Sequence, residues 1–203
     1  MSDNKNRFIE ILRSVSRENA DIEGLIEKLE SSDFFDAPAS TRFHCSYPGG
    51  LVEHCLKVYD NLKMLIETKD LDINSDSIII CGLLHDISKM GIYEKSMRNE
   101  KVYREDGSKS DNLGRFDWVS RECYKVKDAS QRFIYSNHES TAEFMVRCYI
   151  PLKVEESVAI MHHHGGLGYD SIPSSAMSDI YIRYPLVTLL HVADMMSTFI
   201  DEK

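Results

Sequence analysis

With 203 residues, 42% of them hydrophobic and 28% charged, the chain suits one globular domain. Its formal charge of -9, with no basic block, argues against tight binding to a nucleic acid duplex, which needs many Lys or Arg on the phosphates; small phosphorylated ligands and short single strands remain open. No apolar run is long enough to span a bilayer, MSDNKNRFIEILRSV lacks the layout of a secretion signal, and five cysteines without a C-x-x-C argue against a disulfide framework or a zinc ribbon, so a cytoplasmic protein is expected.

In chain order, residues 5–16 and 21–30 are predicted as short amphipathic helices, the second capped by Asp21. Together they make an N-terminal helical piece over 1–33. SSDFFDAPAS is a loop, and YPGG at 47–50 is a turn that stops directly before a helix. That helix runs from about 51 to 68, because Leu51, Cys55, Val58, Leu62 and Leu65 repeat at steps of three and four; His54 falls on the same inward stripe. NSDSIIICGLLHD has strand-like isoleucines, but the apolar run continues and Asn and Ser offer caps, so residues 75–87 are predicted as a buried helix. Residues 93–135 are polar, turn-rich and dotted with aromatics. They read as a small β-arm or irregular insertion, with EDGS as a hairpin-type turn. Helical periodicity returns at 139–149 and 154–163, GGLGYDSIPSS is a loop, and a last helix opens at Pro185 and runs to about Ile200. The fold class is therefore mainly α, in one domain over 1–203 with an inserted arm.

Ionisable groups sit in apolar surroundings at several places. His54 is inward, His85-Asp86 closes an apolar helix, and Asp194 lies inside LLHVADMMSTF. A lone buried carboxylate costs several kcal/mol unless it is paired. Convergence of these groups on one divalent cation would satisfy them all. His138 in YSNHES, and His163 or His164 in the His162–His164 run, are further candidates. Each has an ordinary alternative: His54 as a satisfied core histidine, Asp194 as a helix-internal hydrogen-bond partner, His138 as a loop histidine. For His44 and His191 the ordinary role comes first.

The order His54, His85-Asp86, Asp194 resembles the HD superfamily of metal-dependent phosphohydrolases, which place this pattern on an all-helical core. APASTRFHCSYPGGLVEHCLKVYDNL, LLHDISK and YPLVTLLHVADMMST are similar to the flanks in phage and bacterial members and in the HD domains of some bacterial exoribonucleases. The resemblance covers 34–92 and 136–202; the segment 93–135 falls outside it, and Glu139 stands where a small residue is usual. It implies one ion on His54, His85, Asp86 and Asp194, and a second bridged by Asp86 with His138 and His163, or with His164 in its place. The mixed imidazole and carboxylate set suits Mn, Fe, Ni, Co or Zn better than Mg.

The implied activity is hydrolysis of phosphomonoesters or phosphodiesters of nucleotides or short single-stranded nucleic acid, by metal-activated water. Asp86 would be central. Lys89, one turn on, would steady a phosphate oxygen or simply be solvated; Arg42, Lys95 and Arg98 are weaker candidates. Rival readings are a di-iron, oxygenase-like enzyme of the same fold and a catalytically silent nucleotide-binding module.

Overall fold

The computed structural model describes residues 2–165 and 173–202. Eight α-helices carry it: α1 (Ser2–Arg13), α2 (Ile22–Glu30), α3 (Gly50–Thr68), α4 (Ser75–Leu84), α5 (His138–Arg147), α6 (Val154–Met161), α7 (Ser174–Arg183) and α8 (Pro185–Met196). A small three-stranded antiparallel sheet interrupts them between α4 and α5. The architecture is mainly α with a β insertion, as the sequence predicts. No helix among the described residues is long and apolar enough to cross a membrane.

Local chemistry explains the helix starts. The Asp21 side chain accepts from the Gly24 N–H at 2.9 Å, the Asn74 side chain from Asp76 N–H at 2.9 Å, and the Asn137 side chain from Ser140 N–H at 2.8 Å. At α3 the turn does the work instead. Gly49 holds φ at 81°, and a Cβ on Gly50 would come within 2.0 Å of the Cys45 carbonyl oxygen. The YPGG turn is therefore a tight seam between the loop at 36–48 and the helix that carries His54.

Helix α3 is central and packs against α1, α4 and α8. From Asp76 to Leu84 every residue of α4 is buried, so the isoleucine run serves as a helix walled in on all sides. The helix ends at Leu84, three residues before the predicted limit at 87. Asp86 leaves helical geometry at φ -108° and ψ 14°, and a 3-10 turn follows over Ile87–Lys89. The tighter turn re-aims the segment and gives His85 and Asp86 separate directions.

The arm is a long ribbon. Strands β1 (Tyr93–Tyr103) and β3 (Gly114–Val126) pair from Tyr93 opposite Val126 to Tyr103 opposite Phe116, and the short β2 (Lys109–Asp111) lies on the other edge of β3. The predicted turn at EDGS forms, with Gly107 N–H donating to the Arg104 carbonyl at 3.1 Å, and it links β1 to β2. The tight reversal lies at 111–114, where the Asp111 carboxylate accepts from Leu113 N–H at 2.9 Å. The base of the ribbon is closed by Lys127 N–H on the Ile92 carbonyl at 2.9 Å.

Helix α7 is not anticipated by the sequence reading, and most of the loop predicted over 165–175 lies outside the described residues. The last predicted helix is α-helical to Met196 and then widens into a π-helical turn over Ser197–Asp201. Buried between α4 and α6, Glu156 receives Arg17 at 2.7 and 2.9 Å, Ser77 Oγ at 2.6 Å and the Lys153 N–H at 2.7 Å.

Candidate metal centre

The structure brings His54 from α3, His85-Asp86 from the end of α4, His138 from the start of α5, His163 after α6 and Asp194 from α8 to one buried place. His54 Nε2 lies 3.4 Å from Asp86 Oδ2 and 3.3 Å from Asp194 Oδ1. His85 Nε2 lies 3.3 Å from His54 Nε2 and 3.6 Å from Asp86 Oδ2. On the other side of the same carboxylate, His138 Nε2 is 2.6 Å and His163 Nε2 3.6 Å from Asp86 Oδ1. Asp86 is thus the shared member, with two ring nitrogens and Lys89 against Oδ2 and two ring nitrogens against Oδ1. His54, His85 and Asp86 offer donor atoms all within 4.8 Å of one another, and so do His138, His163 and His164.

The protonation pattern fits a cation. A backbone carbonyl can only accept, so His85 Nδ1 donates to Gly82 O at 3.0 Å and His163 Nδ1 donates to Ile160 O at 2.7 Å. His54 Nδ1 donates to Glu202 Oε1 at 3.0 Å. In the neutral rings all three Nε2 atoms then carry lone pairs, and these point inward. The facing lone pairs of His54 and His85 repel unless a positive charge lies between or beside them. His163 Nε2 is buried and has no hydrogen-bond partner among the described residues. An unpartnered buried imidazole nitrogen beside two carboxylates is what a divalent ion would satisfy.

The electrostatics agree. Burial pushes the Asp86 carboxyl up, but Lys89, His85 and His138 outweigh it and hold Asp86 well below the usual carboxylate range. Burial also works against ionised Asp194, yet the hydrogen bond from His54 keeps it far down. Burial pulls His85 down to about 3, so its ring stays neutral. His54 is held well above its ordinary value: burial opposes this, and hydrogen bonds to Asp194, Asp86 and Glu202 overcome it. Without an ion, a proton on His54 supplies the positive charge that the two carboxylates demand.

Lys89 reaches Asp86 Oδ2 at 2.5 Å and is largely buried. Burial lowers its pKa, but Asp86 outweighs this and keeps the ammonium charged. Lys89 also lines an adjoining cleft of about 440 Å³, together with His44, His164, Met195, Thr198 and Phe199. Of the two histidines left open, His163 is the buried one. His164 is at the mouth, with its Nδ1 on Glu139 Oε1 at 2.8 Å and its Nε2 3.8 Å from Asp194 Oδ2. The Glu139 found where a small residue is usual thus takes the neighbouring histidine. His191 Nδ1 donates to the His163 carbonyl at 2.7 Å, and the His44 ring lies 5.0 Å from that of His54. Arg42 is exposed over Phe43, Lys95 pairs with Glu122 on the arm, and Arg98 is exposed on β1.

Two contributors are missing from the sequence reading. Ser88 Oγ sits 2.6 Å from His138 Nδ1, and the Asx-capped start of α5 aims that ring at Asp86. Its place in LLHDISK, two residues after Asp86, was the available signal. Glu202 carried no signal of that kind.

Residues 51–194 match the HD domain family. A stretch of 77 residues is 40% identical to a protein of Methanocaldococcus jannaschii named dihydroneopterin 2',3'-cyclic phosphate phosphodiesterase; the match covers 36% of this chain and 28% of that protein, well under two thirds of its length. No solved structure gives a significant match. The family match spans both ends of the cluster, from the helix that carries His54 to Asp194 itself, and on that basis the chain belongs to the HD-domain family.

Proposed function

We propose that the chain is a phosphohydrolase that works with one or two divalent transition-metal ions on a small phosphorylated substrate. The observation that carries this reading is the pair of inward Nε2 atoms of His54 and His85, 3.3 Å apart with both Nδ1 hydrogens already committed, beside the shared Asp86. His54, His85, Asp86 and Asp194 would hold one ion, and Asp86, His138 and His163 a second. A divalent ion there supplies Lewis acidity and brings the pKa of water towards neutrality.

The chain's own groups would do the rest. Lys89 offers its free protons to a phosphoryl oxygen, where charge grows in the transition state. His164, whose pKa is raised by its bond to Glu139 against the effect of burial, stands at the mouth of the cleft and in its protonated form would pass the Nε2 proton to a leaving oxygen. Among the described residues lining the cleft, Lys89 is the one permanent cation, and Met195 and Phe199 make an apolar wall. That fits one phosphate group on a flat organic body better than a triphosphate, which needs several Lys or Arg. A relative named for a cyclic phosphodiester points the same way.

The test is metal analysis of the purified chain, then a phosphate-release screen over nucleoside monophosphates and 2',3'-cyclic phosphates with added Mn, Co, Ni and Mg. Turnover that depends on a transition metal supports the reading. Bound iron with oxygen consumption and no phosphate release would replace it with the di-iron alternative.

A further inference from the structure

We propose that Glu202 is a positioning residue for the metal centre: its carboxylate fixes the tautomer and tilt of His54 and strengthens it as a ligand. This rests on the metal reading given above and goes beyond it, because no ligand motif of the sequence contains Glu202.

The geometry is direct. Glu202 Oε1 lies 3.0 Å from His54 Nδ1, and both side chains are wholly buried, at 0% and 1% exposure. The second oxygen, Oε2, is buried, and besides His54 the Cys45 thiol stabilises this carboxylate. A carboxylate in that position is costly unless its charge is used. It is used if His54 donates its Nδ1 hydrogen to Glu202 and turns a more basic Nε2 towards Asp86 and Asp194, the arrangement by which outer carboxylates tune metal-binding histidines.

The backbone is built to deliver it. Asp194 and Glu202 are eight residues apart on one continuous rod. In an α-helix eight residues would rotate Glu202 roughly 80° away from the Asp194 face. The π-helical turn over Ser197–Asp201 rotates each residue less, and this brings Glu202 back towards that face while Phe199 and Ile200 stay exposed. Two turns along α3 from His54, Asn61 ties the same segment down: its amide donates to Ser197 Oγ at 3.0 Å and to Asp201 Oδ2 at 2.8 Å. Ser197 Oγ in turn donates to the Ala193 carbonyl at 2.9 Å. The π-turn is thus clamped to the helix that carries the histidine it serves.

The test is equilibrium dialysis of the full chain against Co²⁺, together with thermal unfolding in chelator. Glu202→Ala should weaken Co²⁺ binding by about 10- to 100-fold. Glu202→Gln keeps an acceptor for Nδ1–H but no charge; it should fall between, at about threefold or more. If Glu202→Ala does not fold, Glu202→Gln decides alone. Both variants binding Co²⁺ like the wild type, even with a lowered melting temperature in chelator, would overturn the proposal and leave the metal reading standing. A wild-type chain that binds no Co²⁺, Mn²⁺ or Zn²⁺ would overturn both.

Discussion

Gly82 of α4 lies directly on the backbone of Tyr59 in α3: a Cβ at position 82 would come within 2.7 Å of the Tyr59 Cα. This contact lets the two helices approach closely enough for His54 and His85 to meet. It also decides between two effects of opposite sign. Gly→Ala inside an exposed helix gains about 1 kcal/mol from propensity. Here the methyl group must push backbone, and overpacking of this kind costs about 1–3 kcal/mol. We expect Gly82→Ala to lower unfolding free energy in urea and to lower bound metal with it. A stabilised variant with full metal content would show that the helices separate freely.

Asp86 is the group that both halves of the cluster share. Asp86→Asn keeps the shape and removes the charge that faces Lys89, His54 and His138. Phosphate release should fall by about three orders of magnitude or more, and metal analysis should show both sites affected. A variant that keeps one full equivalent of metal would separate the two sites.

Lys89→Met tests the cation in the cleft. The substitution removes the ammonium while keeping much of the stem. We expect kcat/KM for a phosphoester to fall about 100-fold, in the range seen when one charge-stabilising donor is lost, with metal content close to that of the wild type. Loss of metal together with activity would instead place Lys89 in the support of Asp86.

Metal and stability should be linked, since an ion that binds the folded chain alone adds free energy. At a concentration 100 times its Kd the gain is about 2.7 kcal/mol. For a chain of this size that is roughly 5–10 °C in Tm. A differential scan with and without chelator measures it. Equal transitions would mean that no ion was bound.

Glu156 is a buried carboxyl away from the centre whose charge should contribute to acid-sensitive stability. Burial pushes its carboxyl up, but Arg17, Ser77 and the Lys153 N–H more than offset this and hold it below its usual value. A carboxyl depressed in the folded state gives stability that is present above its unfolded pKa and lost as pH falls through the folded value. Glu156→Gln should therefore cost about 3 kcal/mol at pH 7, with the gap closing as the pH is lowered below about 4. A constant gap across that range would place the effect in packing.

Much of this was legible in the chain because helical periodicity fixes direction. His54 had to face inward with Leu51 and Val58, and Asp194 had to lie in an apolar helix; both are buried at the cluster. The break at His85-Asp86 was harder, since hydropathy cannot tell a continuing buried helix from one that tightens into a 3-10 turn. Glu202 was invisible for a sharper reason. Its inward direction depends on a π-turn, and a period of 3.6 residues turns it elsewhere. That His163 is the buried one of the two and His164 lies at the mouth needed the third dimension as well, because adjacent residues in a turn diverge according to backbone angles, not composition.

The ribbon at 93–126 leaves and rejoins the helices at one doorway, with Ile92 and Lys127 hydrogen-bonded across it and Lys127 Nζ on the Gly91 carbonyl at 2.9 Å. A segment whose two feet touch is spliced in without stretching what lies on either side. Its length is therefore free to vary like a handle on a closed drawer: a short Gly-containing bridge across the feet, or a fluorescent domain grafted at the tip, would leave the helices beneath in register.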